Sequence, residues 1–241
     1  RIARGEGCRV WDEEGREYLD FGAGIAVTSL GHGHPRVIAR MREQLGVLVH
    51  TSNLYYTRPQ GELAKRLVEI VGAPGKVFFC NSGAEANEAL YKLSRKFGNE
   101  TNGFAVTDGR AVNHDAPHRR GIITMNGSFH GRTLGGIAAT GQDKVKKGFE
   151  PMVEGYTHVP FNDLISLQNA VEHPGNVAVL VEPVQGEGGI NPASADYLRA
   201  MRALCDKYSM LLLFDEVQCG LGRTGDWNAW DTLAPDIKPD A

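Results

Sequence analysis

Short segments that are almost entirely apolar recur along this sequence, and amphipathic stretches separate them. Four such segments are predicted strands, residues 76–80, 121–125, 177–181 and 210–214. A strand that is apolar at nearly every position has both faces buried, which is typical of parallel sheets with helices on either side. The sequence therefore predicts an α/β fold whose mostly parallel sheet is covered by helices on both faces.

Helical periodicity and capping residues define the predicted helices. Thr57 and Ser194 precede two of them as N-cap residues. A capping box at residues 82–85, Ser-Gly-Ala-Glu, begins a third. The predicted helices span residues 35–48, 59–71, 83–97 and 195–208. Residues 9–21 are a predicted hairpin, and the polar residues 99–119 are a predicted irregular surface excursion.

Charge and cysteine content argue against several classes of protein. A formal net charge of −3 gives no reason to expect nucleic acid or a membrane as partner. No apolar run approaches the roughly 18 residues of a membrane span. The cysteines lie far apart without a C-x-x-C pair, which argues against a zinc site or a disulfide framework and favours a reduced, cytoplasmic setting. These cysteines are Cys8, Cys80, Cys205 and Cys219.

Small residues follow the first predicted strand, where ligands of such folds bind. Ser82, Gly83 and Ala84 open a helix there, so a ligand can approach the backbone N–H groups and the positive end of the helix dipole. This arrangement binds phosphate or carboxylate. The alternative is a capped helix that packs closely on a sheet.

An aromatic ring, an imidazole and a guanidinium share the glycine-bounded loop after the second strand. Phe129 could stack on a heteroaromatic ring, and Arg132 could bind a carboxylate through two hydrogen bonds. The alternative is a core phenylalanine, a structural His130 and a surface arginine.

Carboxylates follow the third and fourth strands. Glu182 and Glu187 could be a glycosidase pair, but the sequence does not determine their separation. Asp215 ends a strongly apolar strand, so it is partly desolvated and needs a cationic partner, for which a protonated ring nitrogen would serve. A structural ion pair or a helix cap is the alternative.

Residues 220–225 match the G-x-G-x-x-G pattern of dinucleotide-binding proteins. However, five residues separate them from the preceding strand, and residues 226–235 are a predicted polar-aromatic loop rather than the helix this fingerprint needs. The sequence also contains no Walker motif. Binding of NAD or of ATP through a P-loop is therefore not expected.

In order, these segments resemble the class III aminotransferases, a group of pyridoxal-phosphate enzymes of fold type I. The resemblance extends over nearly the whole chain and rests on NSGAEANE, SFHGRT, EPVQGEGG and DEVQCGLGRTG as an ordered set. It implies pyridoxal 5'-phosphate as cofactor, two alternating half-reactions in which 2-oxoglutarate is the final amino acceptor, and a homodimer.

The resemblance also implies roles for individual residues. Gly83 and Ala84 would hold the cofactor phosphate, Asp215 would keep the ring nitrogen protonated, and Phe129 and Val217 would cover the two ring faces. The full cofactor-binding set is Ser82, Gly83, Ala84, Phe129, His130, Asp215, Val217 and Gln218. Gln218 would lie near the ring hydroxyl.

Three residues are expected to bind substrate, again by resemblance. Arg132 would bind the α-carboxylate, and its fork of donors suits that task. Glu187 matches an acid that pairs with a second arginine beyond this chain and so switches between substrates. Tyr55 completes the set.

By family spacing, the Schiff-base lysine is expected just after Ala241, so no catalytic residue is expected in this chain. Lys238 lacks the small, glycine-rich setting of that lysine and is interpreted as structural. Both ends look cut, and the chain alone is expected to be inactive. Residues 1–50 would be part of a small domain with its linking helix, residues 51–241 a large cofactor-binding domain, and the C-terminal domain would be absent.

Residues 53–56, Asn-Leu-Tyr-Tyr, and Cys219 look closest to aminotransferases that act on N-acetylornithine. The product would be N-acetylglutamate 5-semialdehyde, on the route to arginine. Ornithine, succinylornithine, N-succinyl-diaminopimelate or 4-aminobutyrate are alternative donors. An aminomutase of the glutamate-1-semialdehyde type and a non-catalytic protein that binds the cofactor are the alternatives from other classes.

Overall fold

The structure is a computed structural model that describes residues 1–100 and 119–241. Two compact units account for it, an N-terminal unit of residues Arg1–Val77 and a C-terminal unit of residues Phe78–Ala241. The division near residue 50 that the sequence indicates stays a prediction. No helix in the described ranges is long and apolar enough to cross a membrane.

The N-terminal unit begins with a three-stranded antiparallel sheet in the order β1-β2-β3. Its strands are β1 (Ile2–Glu6), β2 (Arg9–Asp12) and β3 (Glu17–Leu19). The predicted hairpin is confirmed as β2 and β3, and β1 is an additional strand. The buried carboxylate of Asp12 organises the hairpin turn, because it accepts hydrogen bonds from two backbone N–H groups, the Arg16 guanidinium and the Tyr18 hydroxyl.

Three α-helical segments and a short 3-10 helix, Ser52–Leu54, follow in the N-terminal unit. The α-helical segments are α1 (Ala23–Ala26), α2 (Pro35–Leu45) and α3 (Arg58–Val71). The α1 segment is a single turn whose Gly24 and Ile25 have positive φ angles. The other two confirm predicted helices, although α2 ends three residues before the predicted end at Leu48.

The C-terminal unit contains a four-stranded parallel sheet in the order β5-β4-β6-β9, and a separate antiparallel pair, β7 and β8. The strands are β4 (Gly121–Met125), β5 (Tyr156–Val159), β6 (Asn176–Val181), β7 (Val184–Gln185), β8 (Asn191–Pro192) and β9 (Leu211–Phe214). Every residue of β6 is buried, so both faces of the sheet are covered, as the apolar runs predict.

Five helices accompany this sheet in the described part of the C-terminal unit. They are α4 (Gly83–Glu100), α5 (Leu134–Ala139), α6 (Leu164–Val171), α7 (Ala195–Lys207) and α8 (Ala229–Leu233). Helix α4 contacts α5, helix α6 contacts α7, and each pair contacts the sheet. The predicted Ser194 cap of α7 is confirmed, since its hydroxyl accepts a hydrogen bond from the Tyr197 N–H.

Two predictions of secondary structure are wrong, and one strand of the parallel sheet was not predicted. Residues 76–80 do not form a strand: Phe78 is exposed, and no described strand lies alongside to exchange hydrogen bonds. Strand β5 was missed because its sequence, Tyr-Thr-His-Val, mixes polar and apolar residues, as suits an edge strand. Helix α8 lies within residues 226–235, the segment predicted to be a loop.

The predicted excursion at residues 99–119 is also partly wrong at its ends. Asn99 and Glu100 belong to α4, and residues 101–118 lie outside the described residues. Arg119 is buried, and its guanidinium donates hydrogen bonds to the backbone carbonyls of Asn176, Tyr208 and Ser209. This arginine therefore joins β6 to the end of α7.

Close packing of α4 leads to a prediction about two helical glycines. A Cβ at Gly98 would collide with the backbone carbonyl of Arg119, whereas a Cβ at Gly61 in α3 would meet nothing within 4 Å. We expect Gly98→Ala to lower the free energy of unfolding by about 1–3 kcal/mol. The matched variant Gly61→Ala should raise it by about 1 kcal/mol, since alanine favours a helix over glycine. Denaturant unfolding of the complete gene product measures both, and equal effects would contradict the packing argument.

Candidate active site

The carboxyl ends of β4, β6 and β9 meet at one edge of the parallel sheet. The loops that follow them, residues 126–133, 182–189 and 215–218, are joined to one another by hydrogen bonds. The N-terminal turns of α4 contact the last of these loops. The predicted site residues of the C-terminal unit are therefore brought together in one region.

Asp215 is a buried carboxylate at the centre of this region, 5% exposed. Its Oδ2 accepts hydrogen bonds from Asn87 Nδ2 and His130 Nδ1, each at 2.8 Å, and its Oδ1 accepts one from the Val217 backbone N–H at 3.1 Å. Burial disfavours the charged form, but the interactions with His130, and then those with Asn87 and Val217, outweigh it and hold the pKa of Asp215 below its ordinary value. In the described part of the chain no lysine or arginine pairs with this anion.

His130 is fully enclosed and is held on three sides. Its backbone N–H donates to Thr140 Oγ1 at 2.9 Å, and its carbonyl accepts a hydrogen bond from the Tyr91 hydroxyl at 3.1 Å. Because an ionised carboxylate can only accept, the Nδ1 atom that faces Asp215 carries a proton. The other ring nitrogen, Nε2, is buried and has no partner among the described residues. The imidazole thus supports Asp215 directly, while its role as a cofactor-binding residue stays a prediction.

Glu182 holds the backbone of the Phe129 loop. Its Oε2 accepts a hydrogen bond from the Phe129 N–H at 2.9 Å. Burial raises the pKa of Glu182 to about 7, and the negative charges of Asp215 and Glu187 act in the same direction, against the interactions with His130 and the Phe129 N–H. A carboxyl group at this position therefore changes its charge near neutral pH.

Two glutamine side chains also donate hydrogen bonds to the backbone of the loop that contains Phe129. Gln185 Nε2 donates to the Asn126 carbonyl at 3.0 Å, and Gln142 Nε2 donates to the carbonyls of Gly127 and Ser128 at 3.2 and 3.1 Å. The loop backbone is consequently held by side chains that follow β6 and α5, and this fixes where Phe129 lies.

The N-terminus of α4 presents backbone hydrogen-bond donors. Ser82 Oγ accepts a hydrogen bond from the Glu85 N–H, as the capping box predicts, but Glu85 Oε2 accepts from the Asn81 N–H instead of the Ser82 N–H. Within the described residues the N–H groups of Gly83 and Ala84 have no acceptor. These two donors are available to an anion.

The loop after β9 packs against this helix end. A Cβ on Gly83 would come within 2.7 Å of Val217 Cγ1, so only glycine fits there without a shift. The next residue, Gln218, donates from Nε2 to Glu187 Oε1 at 3.2 Å, and its own Oε1 is buried with no partner in the described part of the chain.

Arg132 is exposed, and its guanidinium carbon lies 5.5 Å from the centroid of the Phe129 ring. The cation therefore lies over the aromatic ring of the same loop. Tyr55 belongs to the N-terminal unit, where its side chain is exposed, and its role in substrate binding stays a prediction.

Lys238 and residues 220–225 are the features that the sequence offers as alternatives, a candidate catalytic lysine and a candidate dinucleotide fingerprint. The Lys238 ammonium forms an ion pair with Asp231 at 3.1 Å and lies over the Trp230 ring, in agreement with its structural interpretation. Residues 220–225, the G-x-G-x-x-G match, form turns and do not begin a helix.

Asn87, Thr140, Gln142 and Gln185 support the site but were not among the predicted site residues. A signal existed for Asn87, because the buried positions of α4 follow helical spacing and a polar amide on a buried stripe needs a polar partner. These buried positions are Asn87, Tyr91, Ser94 and Gly98. For the other three residues the sequence contains no comparable signal.

Comparisons with known proteins agree on one family. The model of the aminotransferase class-III family matches residues 1–241. The acetylornithine aminotransferase of Myxococcus xanthus is 52% identical to this chain, over 93% of the chain and 52% of the relative. That of Xylella fastidiosa strain Temecula1 is 48% identical, over 98% of the chain and 55% of the relative. The chain spans about half the length of these curated relatives.

A solved ornithine aminotransferase has the same fold. The structure from Toxoplasma gondii, described as having partial occupancy of pyridoxal phosphate at its active site, is 34% identical with a TM-score of 0.88. The match covers 99% of this chain and 53% of that structure.

The raised pKa of Glu182 leads to a prediction about stability and pH. The folded pKa of about 7 exceeds the value of 4.5 for a free glutamate, so the folded state binds the proton more tightly. The contribution of Glu182 to folding stability should therefore be lost as the pH rises from about 5 to 8. The variant Glu182→Gln keeps an acceptor for the Phe129 N–H but cannot ionise, so it should lose less stability over this range, by a difference of roughly 3 kcal/mol. Unfolding free energies at several pH values measure this, and a constant difference between the two proteins would contradict it.

Proposed function

Because this chain belongs to the class III aminotransferases, we propose that it forms the cofactor-binding part of a pyridoxal-phosphate enzyme that acts on N2-acetyl-L-ornithine. The enzyme would transfer the terminal amino group to 2-oxoglutarate and release N-acetyl-L-glutamate 5-semialdehyde and L-glutamate. The observation that carries the proposal is the place of Asp215, a buried and ionised carboxylate beside the N-terminus of α4, where the N–H groups of Gly83 and Ala84 have no acceptor among the described residues.

The site residues fit pyridoxal phosphate at both of its charged ends. The N–H groups of Gly83 and Ala84, at the positive end of α4, donate to no acceptor within residues 1–100 and 119–241 and so suit a phosphate. The absence of a Cβ at Gly83 leaves room beside Val217 for close approach to the backbone. At the other end, the ionised Asp215 suits a protonated ring nitrogen, and no described lysine or arginine competes for it.

When bound, pyridoxal phosphate supplies an aldehyde that takes up an amino group and a ring that withdraws electrons from the reacting carbon. The chain's contribution is to hold the ring nitrogen in its protonated form through Asp215. Phe129, whose backbone is held by Glu182, would cover one face of the ring, and Val217 the other. Gln218 would reach the ring hydroxyl. These contacts orient the ring and exclude water from it.

Arg132 would bind the α-carboxylate of the donor and of 2-oxoglutarate. Its guanidinium is exposed and lies over Phe129, so it could contact a substrate placed at the edge of the ring. Glu187 accepts a hydrogen bond from Gln218, which supports a role for this acid beside the substrate. By resemblance to the family, Tyr55 is a further residue that we propose binds substrate.

The choice of N-acetylornithine as amino donor rests on two observations. Relatives that are 48% and 52% identical to this chain are acetylornithine aminotransferases, and residues 53–56 resemble those of such enzymes. The same resemblance supports an enzyme of arginine biosynthesis that works in the cytoplasm as a homodimer. Ornithine is the competing donor, because the Toxoplasma gondii structure with the same fold is an ornithine aminotransferase.

The donor can be tested in a single half-reaction. The complete gene product, loaded with pyridoxal phosphate, is mixed with N-acetylornithine or with ornithine in the absence of a keto acid. We expect N-acetylornithine to convert the cofactor to pyridoxamine phosphate at least about tenfold faster, measured by stopped-flow absorbance, because this factor corresponds to only about 1.4 kcal/mol of differential transition-state binding. Faster conversion by ornithine would overturn the proposed donor, and no conversion by either would require a different amine.

The proposed role of Arg132 can be tested by a conservative change. Arg132→Lys keeps the positive charge but loses the paired donors, so we expect KM for the donor and for 2-oxoglutarate to rise about tenfold or more. The matched variant Arg120→Lys changes an exposed arginine that donates to Asn99, and should leave both constants unchanged. Steady-state kinetics with each substrate measure this. An unchanged KM in Arg132→Lys would remove Arg132 from the substrate site.

A further inference from the structure

Asn87 lies one helical turn after Gly83, on the buried side of α4, and is 3% exposed. Its amide nitrogen Nδ2 donates to Asp215 Oδ2 at 2.8 Å and to the Gly83 carbonyl at 3.2 Å. The same side chain therefore touches the residue proposed to bind the ring nitrogen and the residue proposed to bind the phosphate.

The orientation of the amide favours Asp215 and leaves its own oxygen without a partner. Asn87 Oδ1 is buried and accepts no hydrogen bond from the described residues. A buried carbonyl oxygen without a donor costs free energy. Turning the amide over would place this oxygen against the ionised Asp215, where two acceptors repel each other. The carboxylate thus determines how the amide is placed.

From this geometry we infer that Asn87 is a positioning residue, which holds the Asp215 carboxylate in place and links it to the phosphate-binding end of α4. The inference rests on the proposed function, because it concerns the recognition of a protonated ring nitrogen. Asn87 itself acts only through Asp215.

Asn87 and His130 donate to the same oxygen atom of Asp215. His130 belongs to the loop after β4, and Asn87 belongs to α4, so the two donors reach Asp215 Oδ2 from different elements. With the Val217 N–H on Oδ1, three donors prevent rotation of the carboxylate. Loss of the Asn87 donor would leave the carboxylate freer to turn and less strongly ionised, and the phosphate end of α4 would lose its direct connection to it.

The test compares two ligands that differ only at the ring nitrogen. The first is pyridoxamine phosphate, which binds without a covalent bond, and the second is its analogue with C–H in place of the ring nitrogen. Dissociation constants for both are measured by isothermal titration calorimetry on the complete gene product and on Asn87→Leu and Asn87→Ala. The quantity of interest is the ratio of the two constants.

We expect the unchanged protein to bind pyridoxamine phosphate more tightly than the analogue. In both Asn87 variants this preference should fall about tenfold or more, since a hydrogen bond to a charged group is lost, while binding of the analogue changes little. Alanine is included because it fits wherever asparagine fits, should leucine prevent folding. The matched control is Asn176→Ala, a buried asparagine whose amide donates to the Ala170 carbonyl, and it should keep the preference.

Each other outcome overturns a defined statement. If the Asn87 variants bind both ligands less tightly by the same factor, or if the ratio of the two dissociation constants is otherwise unchanged, Asn87 is only structural and the inference is wrong. If the unchanged protein binds both ligands equally well, the proposed role of Asp215 fails and the inference fails with it. If neither ligand binds, the proposed function fails.

Discussion

The burial of the Asp215 carboxylate is the constraint on which the arrangement of this site depends. A carboxylate taken out of water must be stabilised by hydrogen bonds or a cation, otherwise it binds a proton and loses its charge. Here the donors come from three places, the helix α4, the loop after β4 and the backbone that follows Asp215 itself. Helix α4, the loop after β4 and the loop after β9 are therefore held in place around the Asp215 carboxylate, and the shape of the candidate site follows from the need to stabilise this charge.

The residues expected to touch a ligand are held by a second set of side chains that do not. Glu182, Gln185 and Gln142 bind the backbone of the loop that contains Phe129, and Thr140 binds the N–H of His130. Since these bonds are made to backbone atoms, the loop has its shape before any ligand arrives. Such preorganisation lowers the entropic cost of binding and of catalysis.

The sequence predicts those parts of the fold in which one segment carries its own signal. The strands β4, β6 and β9 are apolar runs, and α7 has a serine cap, so each was predicted close to its observed bounds. Residues 76–80 look equally apolar, but no strand among the described residues pairs with them. Strand pairing depends on segments that are distant in the sequence, so a single apolar run does not predict it. Among the site residues, Asp215 is conspicuous at the end of a strand. The place of Asn87 on the buried stripe of α4 indicates that it needs a polar partner, but not that this partner is Asp215, 128 positions later.

The long sequence separations at Asp215 also have a consequence for how the protein is made. Asn87 and Asp215 are 128 positions apart, and His130 and Asp215 are 85 apart. Contacts of this kind form late, because a long loop must close before they contribute. During synthesis, β4 and β6 leave the ribosome before β9. The hydrogen bonds from Asn87 and His130 to Asp215 therefore cannot form until β9 has paired with β6 at the edge of the sheet. A nascent chain therefore has the N-terminus of α4 well before it has Asp215, and the hydrogen bonds around this carboxylate form only once β9 has joined the sheet.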